Sequence, residues 1–412
     1  MTHIEQMIKD LCPNGVEWKK LGEVTFWDKK FNDVDRSLQP EIRKYHYYLA
    51  NELEELESDT GDVRILYTSN KIAFADVESV KENVVDAEVV AIPWGGNANI
   101  KYFKGKFITA DNRIAVVRDS SALSTKFVYY WLTKNQAEID SYYRGAGIKH
   151  PSMLKVLSLP IPLPPLVIQE KIVECLDKFS ALAAELQAEL QKRRQQYEYY
   201  RTRLLTPPQN ISSDNSTDER NWEWKTLEEI STRIVSGGTP ARSKSEYFSG
   251  SIPWMRTQEV NWCEVYDTEI HITEEAIKNS SAKLIPANCV VIAMYGATAG
   301  KSCINKIPLT TNQACCNLEI DPKQALYKYV YYWVCKEYEN IKGMGEGSQN
   351  NINGQKIKAY KIPLPSLDEQ TRIVAILDKF EALTTSLSDG IPAEQAAQQK
   401  RYEYYRDLLL TF

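Results

Sequence analysis

An internal repeat with a period near 200 residues constrains the fold more than any other feature. The segment IPLPPLVIQEKIVECLDKFSAL, beginning at Ile161, matches IPLPSLDEQTRIVAILDKFEAL, beginning at Ile362, at 14 of 22 positions. A second block, YEYYRTRLLT from Tyr197, matches YEYYRDLLLT from Tyr402 at 8 of 10 positions. This period is far longer than that of a solenoid repeat. The sequence therefore predicts a duplicated unit, a variable domain followed by a shared helical segment.

Composition sets the boundary between the copies. The stretch PPQNISSDNSTDERN after Thr206 has almost nothing apolar to bury, which is typical of a linker. The predicted parts are a variable domain over 1–160, a helical segment over 161–206, a linker over 207–220, a second variable domain over 221–361 and a C-terminal helical segment over 362–412.

The shared segments carry a heptad pattern. From Ile168 onwards apolar residues recur in steps of four and three, and the second copy repeats the pattern from Ile373 to Leu387. Two such seams on one chain favour an antiparallel intramolecular coiled coil, although each helix covering only its own domain's core stays an alternative. We predict an α+β fold, in which two mixed α/β domains are separated by two long antiparallel helices with a pseudo-two-fold internal repeat.

Each helical segment has one irregular stretch. A tandem four-residue unit, AELQ at Ala184 and again at Ala188, inserts a stutter into the first copy, and each unit adds about 6 Å of helix. The second copy instead has Ser388-Asp-Gly-Ile-Pro392, where Gly and Pro predict a break and Ser388 or Asp389 a cap.

Charge is unevenly distributed in a chain whose formal net charge is -5. Residues 1–90 hold 11 basic and 19 acidic side chains, but 91–160 hold 10 and 4. In the second copy 221–290 hold 7 and 10, and 291–361 hold 9 and 5. The matching polarity favours a surface that tracks phosphates in both domains, with an ordinary solvated face as the alternative.

Glycine-rich turns begin both basic segments, after the strand-like VVAIP and VVIAM. Backbone amides, small polar groups and cations in such loops suit phosphates and base edges. A plain turn or strand-edge role stays open for any one residue. The predicted DNA-binding residues are Trp94, Gly95, Gly96, Asn97, Lys101, Arg144, Lys149, Thr239, Arg242, Lys244, Trp254, Arg256, Thr257, Tyr295, Thr298, Lys301 and Gln313.

Tyrosine and arginine cluster on one helical turn in both YEYYR tails. These residue types are enriched at protein interfaces, so the tails predict two equivalent docking sites and two copies of one partner. Inward packing on the chain's own domains is the alternative. The predicted partner contacts are Tyr199, Tyr200, Arg201, Tyr404, Tyr405 and Arg406.

The sequence contains no recognisable catalytic or metal-binding motif. The eight cysteines form no Cys-x-x-Cys pair and only four histidines are present, which argues against zinc and favours buried reduced thiols. The motif from Gly296 to Lys301 has three residues between its glycines where a P-loop needs four. Glu17-Trp-Lys19 and Glu223-Trp-Lys225 fit strand edges better than half a nuclease site. With no apolar span and an acidic start that lacks a signal core, we expect a non-catalytic, cofactor-free cytoplasmic protein.

Together these motifs carry a family likeness. The duplicated PLP…Q…IV…LDKF…L segments, both YEYYR…LL tails, the AELQ tandem, and SGGTP…IPW…GATAGK…TTNQACC of the second domain resemble the specificity subunit of type I restriction-modification enzymes. The resemblance covers essentially the whole chain. The first domain has Trp94-Gly-Gly-Asn97 where the second has Gly296-Ala-Thr-Ala-Gly300, so its loops are less similar to the family.

The resemblance implies two target recognition domains, each of which reads half of a split, asymmetric target in double-stranded DNA, with the paired helices as a ruler. It also implies two S-adenosylmethionine-dependent adenine methyltransferase subunits as partners, with motor-nuclease subunits in the full complex. Two other functions stay open on the residues alone: a protein-interaction scaffold without DNA reading, and a methyltransferase or nuclease that works by itself.

Overall fold

The computed structural model describes residues 3–208, 222–346, 351–386 and 389–412. The predicted linker lies outside these residues from position 209 onwards, as do Leu387 and Ser388. The chain divides into two compact units, the first comprising 1–186 with 395–412 and the second comprising 187–394. The predicted domain limits stay predictions. Among the described residues no helix is long and apolar enough to cross a membrane.

The first unit is built on one mixed sheet of six strands, in the order β2-β7-β5-β6-β3-β4. Strand β3 is parallel to β6, and the other neighbours are antiparallel. The strands of this unit are β1 (Glu17–Lys20), β2 (Thr25–Trp27), β3 (Val63–Leu66), β4 (Ile72–Ala75), β5 (Val85–Pro93), β6 (Lys101–Thr109), β7 (Asn112–Val117), β8 (Tyr143–Arg144), β9 (His150–Pro151) and β10 (Pro160–Leu163).

Helices cover this sheet and fill its core. The side chain of Ser124 caps the central helix, α5, by accepting a hydrogen bond from the Phe127 amide, and the buried face of α5 includes Phe127 and Trp131. The helices are α1 (His3–Leu11), α2 (Leu21–Val24), α3 (Ala50–Glu55), α4 (Val77–Val80), α5 (Thr125–Lys134), α6 (Gln136–Asp140), α7 (Met153–Ser158) and the long α8 (Leu166–Leu205), which continues into the second unit.

The second unit has a different sheet arrangement. A five-stranded sheet has the order β12-β20-β17-β18-β14, and a four-stranded sheet has the order β15-β13-β19-β16. The strands are β11 (Glu223–Thr226), β12 (Ser231–Ser236), β13 (Ile252–Met255), β14 (Glu264–Val265), β15 (His271–Ile272), β16 (Leu284–Ile285), β17 (Val290–Ala293), β18 (Ser302–Asn305), β19 (Leu309–Thr311), β20 (Cys315–Ile320) and β21 (Lys361–Leu364). The remaining helices are α9 (Glu274–Lys278), α10 (Tyr327–Lys336), α11 (Tyr338–Lys342), α12 (Gly354–Lys358), α13 (Leu367–Thr385) and α14 (Ile391–Leu409).

Both units nevertheless share matching strand pairs and tryptophan contacts, which we call the frame, and this confirms the repeat. Strand β1 pairs antiparallel with β10, and β11 pairs antiparallel with β21 in the same register. Trp18 meets the edge of Trp131 at 5.6 Å between ring centroids, and Trp224 meets Trp333 at 6.2 Å. The two Glu-Trp-Lys motifs are therefore strand residues, as predicted. Mixed α/β units and a long helix confirm the predicted fold class.

The long helices use two faces. In the first unit Ile168, Ile172 and Leu176 of α8 are buried in that unit's own core. On another face Phe179 stacks on Tyr405 of α14 at 5.3 Å. In the second unit Phe380 of α13 stacks on Tyr200 of α8 at the same distance. Each helix thus covers its own domain and also packs on the tail of the other copy.

The predicted break in the second copy is confirmed. Helix α13 ends at Thr385 and α14 begins at Ile391, with Pro392 in its first turn, where the missing amide proton costs nothing. The Ser386 hydroxyl accepts a hydrogen bond from the Asp389 amide at 3.1 Å. In the first copy α8 runs unbroken through the AELQ tandem for 40 residues, about 60 Å of helix.

Candidate nucleic-acid interface

In the first unit the candidate recognition loop, Trp94–Asn97, directly follows β5, and the contacts of Trp94 fix its position. The Trp94 ring stacks on Phe31 at 6.4 Å, lies 5.1 Å from the His150 ring, and has the Arg113 guanidinium 5.1 Å from its centroid. Its carbonyl oxygen is 2.7 Å from Nδ1 of His150. Trp94 is half-buried in these contacts. It therefore holds the loop in place rather than projecting fully from the surface.

The tip of this loop is exposed. Gly96 has a φ of +99°, a conformation that favours glycine, and its amide donates to the Lys149 carbonyl at 2.9 Å. Gly95 approaches Ile148 so closely that an added Cβ would lie 2.9 Å from it. Asn97 is exposed beside them. The tip therefore presents the Asn97 carboxamide to solvent, while the Gly96 amide is bound within the protein.

The exposed cations Arg144 and Lys149 belong to the neighbouring hairpin of β8 and β9, where Arg144 pairs with His150. The Gly96 hydrogen bond joins this hairpin to the loop tip. Lys101 lies apart from this group, because its ammonium donates to the Thr68 carbonyl at 2.9 Å. The structure therefore brings together Gly95, Gly96, Asn97, Arg144 and Lys149 and separates Lys101 from them.

In the second unit hydrogen bonds join the candidate loops in pairs. Thr239 of the SGGTP segment donates to the Gln313 side chain. The Thr298 hydroxyl donates to the Thr257 carbonyl at 2.7 Å. Lys301 donates to Oδ1 of Asn261 at 2.8 Å. Asn261 is the residue that sequence reasoning missed here, because a lone asparagine in a loop carries no distinguishing pattern.

Two further predictions for this unit need qualification. Trp254 is only 3% exposed and its indole N–H donates to the Gly238 carbonyl at 3.0 Å, so this residue supports the SGGTP segment and we withdraw it as a DNA contact. Arg256 forms ion pairs with Glu259 and Glu269. To contact a DNA phosphate, the Arg256 guanidinium would have to leave these two carboxylates.

The remaining candidates are accessible. Tyr295 is 38% exposed. Arg242 is exposed, and so is Lys244, whose ammonium lies 4.8 Å from the Tyr247 ring centroid and donates to its hydroxyl. That hydrogen bond raises the pKa of Lys244, so this side chain is a cation at neutral pH.

The described residues contain no group of His, Cys, Asp and Glu arranged to hold a metal ion. All eight cysteines are free, five of them buried and three half-buried. Burial raises the pKa of Cys316 and of Cys335 to about 12, which leaves these thiols protonated and poor nucleophiles.

A family model described as the type I restriction modification DNA specificity domain matches the chain twice, over residues 15–193 and 219–395. The chain belongs to this family. It is 34% identical over 426 residues to the EcoR124I/EcoR124II specificity subunit of Escherichia coli, and the match covers 100% of this chain and 97% of that one. A putative type I specificity subunit of Haemophilus influenzae is 28% identical, with 100% and 98% covered. The chain is a type I specificity subunit.

A solved structure shows the same fold. The type I S subunit from M. genitalium superimposes with a TM-score of 0.59 at 17% identity, and the match covers 97% of both chains. Its likeness supports two mixed α/β domains with long helices as the architecture of this specificity subunit.

The two YEYYR tails each have one tyrosine stacked on a phenylalanine of the chain and a second tyrosine that is more exposed. Tyr200 and Tyr405 stack on Phe380 and Phe179, as described above. Tyr199 and Tyr404 lie edge-on to these rings and are 57% and 64% exposed. Arg201 lies over the Tyr197 ring, and Arg406 over the Tyr402 ring. One tyrosine of each tail therefore stacks on a phenylalanine while staying 39% or 37% exposed, and its neighbour is more exposed still.

Proposed function

We propose that this specificity subunit is non-catalytic and that each variable domain reads one half of a bipartite, asymmetric DNA target. The proposal rests on one observation: the two units have the same frame but different loops and sheets. The two units share the strand pairs and tryptophan contacts of one frame. Their recognition loops and sheets differ. Identical frames with different loops are what two independent readers of different half-sequences require.

We infer that the helical segments set the distance between the two half-sites. Helix α8 is continuous over 40 residues, and its length of about 60 Å exceeds one DNA helical turn of about 34 Å. The AELQ tandem lies within this helix, where a further unit would lengthen it without altering any loop.

The exposed tyrosines of the tails are the proposed contacts to two adenine methyltransferase subunits. Tyr199 and Tyr404 occupy matching positions, each edge-on at 5.3 Å to the tyrosine that stacks on a phenylalanine. S-adenosylmethionine would be bound by those partners, and motor-nuclease subunits would join the full restriction complex.

A scaffold without DNA reading is the alternative function. The exposed cations Arg144, Lys149 and Arg242 beside the recognition loops favour DNA reading, because a pure scaffold has no need of them there. Binding of the methyltransferase complex to duplex DNA, measured across salt concentration, separates the two: DNA reading gives a steep salt dependence, whereas a scaffold gives none.

Methylome sequencing of cells that express this subunit with its methyltransferase tests the ruler. Insertion of one more AELQ unit after Gln191 should increase the spacing between the half-sites and leave both half-sequences unchanged. The matched control exchanges Glu185→Gln with Gln187→Glu, which keeps helix length and composition. An altered half-sequence in the lengthened variant would contradict the proposal.

A loop replacement tests the independence of the two readers. Replacing Gly296–Lys301 should alter one half-sequence only, because these residues belong to the second unit. Loss of preference at both half-sites would exclude independent reading.

A further inference from the structure

A polar pocket of about 300 Å³ in the first unit lies beside the start of β6 and the turn between β3 and β4. Its lining includes Arg64 from β3, Ser69 and Asn70 from the turn, and Asn99 and Lys101 from the segment that leads into β6. The pocket lies within the first unit but apart from the exposed loop tip.

Three cations line this pocket. Lys71 is paired with Glu57, whereas Arg64 and Lys101 have no counter-ion in the described part of the chain. Among the described residues no carboxylate lies within 4.0 Å of Arg64 or of Lys101. Lys101 donates to the carbonyl oxygens of Thr68, at 2.9 Å, and Asn99, at 3.3 Å. An ammonium has three donors, so one remains available.

Arg64 is still less satisfied. Its guanidinium makes one long hydrogen bond, 3.4 Å from Nη1 to the Ala73 carbonyl, and its carbon lies 5.2 Å from the Phe74 ring centroid. A guanidinium has five N–H donors in a planar fork that fits two oxygens of one anion. Packing against Phe74 positions the group and leaves most of these donors unused.

This arrangement disfavours the charged form of Lys101 in particular. Burial, and next the like charge of Arg64, lowers the pKa of Lys101 to about 8. Burial also lowers the pKa of Arg64. Partly buried cations are ordinarily compensated by an opposite charge. An anion in the pocket would supply that charge and the missing hydrogen-bond acceptors together.

We propose that Arg64 and Lys101 form a phosphate-binding site that holds one phosphodiester of the DNA backbone, with the Asn99 segment shaping its wall. The inference rests on the proposed DNA-reading function and adds a fixed anchor to it. Lys101 belongs to the basic segment 91–160 and directly follows the recognition loop along the chain, and Arg64 is brought to it from the preceding segment 1–90. A phosphate bound here would fix the register of the first domain on the duplex without reading sequence.

The equivalent lysine of the second copy is differently placed. Lys301 donates to the neutral side-chain oxygen of Asn261, and the nearby Arg256 is paired with Glu259 and Glu269. In the first domain Arg64 and Lys101 thus face one pocket without a carboxylate partner among the described residues, whereas in the second domain Arg256 is already paired with two carboxylates.

The test measures duplex DNA binding by the full chain in complex with its methyltransferase, for wild type and for Arg64→Met with Lys101→Met. We expect the double variant to bind roughly tenfold more weakly, and the slope of log K against log salt to fall by about one. The methylated sequence should not change. The control is Lys104→Met on the same strand, an exposed lysine 3.3 Å from Glu88, which should leave affinity and slope almost unaltered. Thermal unfolding identifies any loss of fold.

The outcomes are distinguishable. If wild type binds DNA and the double variant keeps its slope and affinity, the phosphate site is refuted while DNA reading stands. If wild type shows no salt-dependent DNA binding, the proposed function fails and the site with it. A change in the methylated half-sequence would make these residues base contacts and overturn the proposal. Titration with inorganic phosphate separates the sources: saturable binding by the wild type, with no effect of the variants on DNA affinity, would assign the pocket to a free anion instead.

Discussion

The two units of this chain have the same frame but support their recognition loops by different means. In the first unit a buried charge cluster lies under the loop: Arg113 is 3% exposed and its Nη1 is 3.0 Å from Oδ2 of Asp28. The guanidinium also lies against Trp94, the first residue of the loop. Among the described residues of the second unit the buried polar side chains are all neutral, for example Thr310, Thr311 and Asn317.

This difference shows which parts of the chain are free to change. Strand pairs such as Glu17 with Leu163 and Glu223 with Leu364 are the same in both units. The buried polar groups are not, since the first unit adds the Arg113–Asp28 ion pair to its buried hydroxyls and amides, whereas the second buries only neutral polar groups among its described residues. A duplicated frame can therefore carry two unrelated loop supports, which lets the two half-site specificities diverge separately.

Removal of the buried cation should have the largest effect and should be confined to the first unit. Arg113→Met leaves the Asp28 carboxylate buried without its counter-charge, and loss of one partner of such a pair costs about 3–5 kcal/mol. Burial already raises the pKa of Asp28, so in the variant this carboxyl should take up a proton and the loss should shrink as the pH falls. Hydrogen exchange read unit by unit at two pH values measures both effects.

The matched change in the second unit is Arg256→Met. Its partner Glu269 is 71% exposed, and exposed ion pairs contribute little to stability. Folding should therefore survive while DNA binding weakens. Adding Asp28→Asn to Arg113→Met should restore part of the stability of the first unit. Equal destabilisation by the two arginine changes would show that burial does not distinguish the units.

The next effect concerns a buried glutamine that fastens each long helix to its domain. Gln169 accepts from the Ser124 amide at 2.9 Å and donates to the carbonyls of Ala122 and Pro164. Gln370 accepts from the Leu326 amide and donates to the Pro365 carbonyl. Substitution by leucine leaves these backbone groups unsatisfied, at about 1–3 kcal/mol. Because Gln169 makes one more of these bonds, Gln169→Leu should cost more than Gln370→Leu in chemical denaturation.

The glutamate variants sharpen this comparison. Gln169→Glu and Gln370→Glu keep the acceptor oxygen but turn a buried carboxylate toward backbone carbonyl oxygens, so at pH 7.5 each should be at least as destabilised as the leucine variant. The loss should shrink as the pH falls and the carboxyl is protonated. A leucine variant as stable as wild type would show that the glutamines fill space without fastening the helix.

The sequence predicted the frame well and the loop supports poorly. The glutamines and the phenylalanines of the seam occur twice at an offset of 201, and the Glu-Trp-Lys strands occur twice at an offset of 206, so repetition alone identifies these segments. The Arg113–Asp28 pair joins residues 85 positions apart that occur in only one copy, and nothing in the local pattern links them. For the same reason Trp254 was taken for a surface residue, and Arg64, a lone cation in VRIL, was not selected at all.

Removal of a stacked phenylalanine from either long helix should lower the free energy of unfolding by a smaller and nearly equal amount in the two units. Phe179 and Phe380 each stack on a tyrosine at 5.3 Å with an interplanar angle of 25°, but Phe380 also lies 6.5 Å from Tyr197. Both rings are partly exposed, so alanine at either should cost about 1–2 kcal/mol, and Phe380→Ala should cost more because it loses two ring contacts. A double-mutant cycle with Tyr200→Ala isolates the stacking energy. Zero coupling in that cycle would mean that the rings merely lie side by side.

The smallest effect distinguishes the helices at one aligned position, Ser180 in the first copy and Glu381 in the second. Burial raises the pKa of Glu381, whose carboxylate accepts from Tyr332 and faces Lys328, Asp378 and Glu264. A carboxyl with a raised folded-state pKa stabilises the fold below its unfolded pKa and loses that contribution as the pH rises through the folded value.

Glu381→Gln should therefore remove a pH dependence rather than a contact. We expect its unfolding free energy to exceed that of wild type at pH 7.5, by less than about 1 kcal/mol, and the difference to vanish or reverse near pH 4. Ser180→Ala in the first unit, which lacks a carboxyl at this position, should show no such crossing. Parallel stability curves for wild type and Glu381→Gln from pH 4 to 8 would mean that Tyr332 and Lys328 fully offset the burial of this carboxylate.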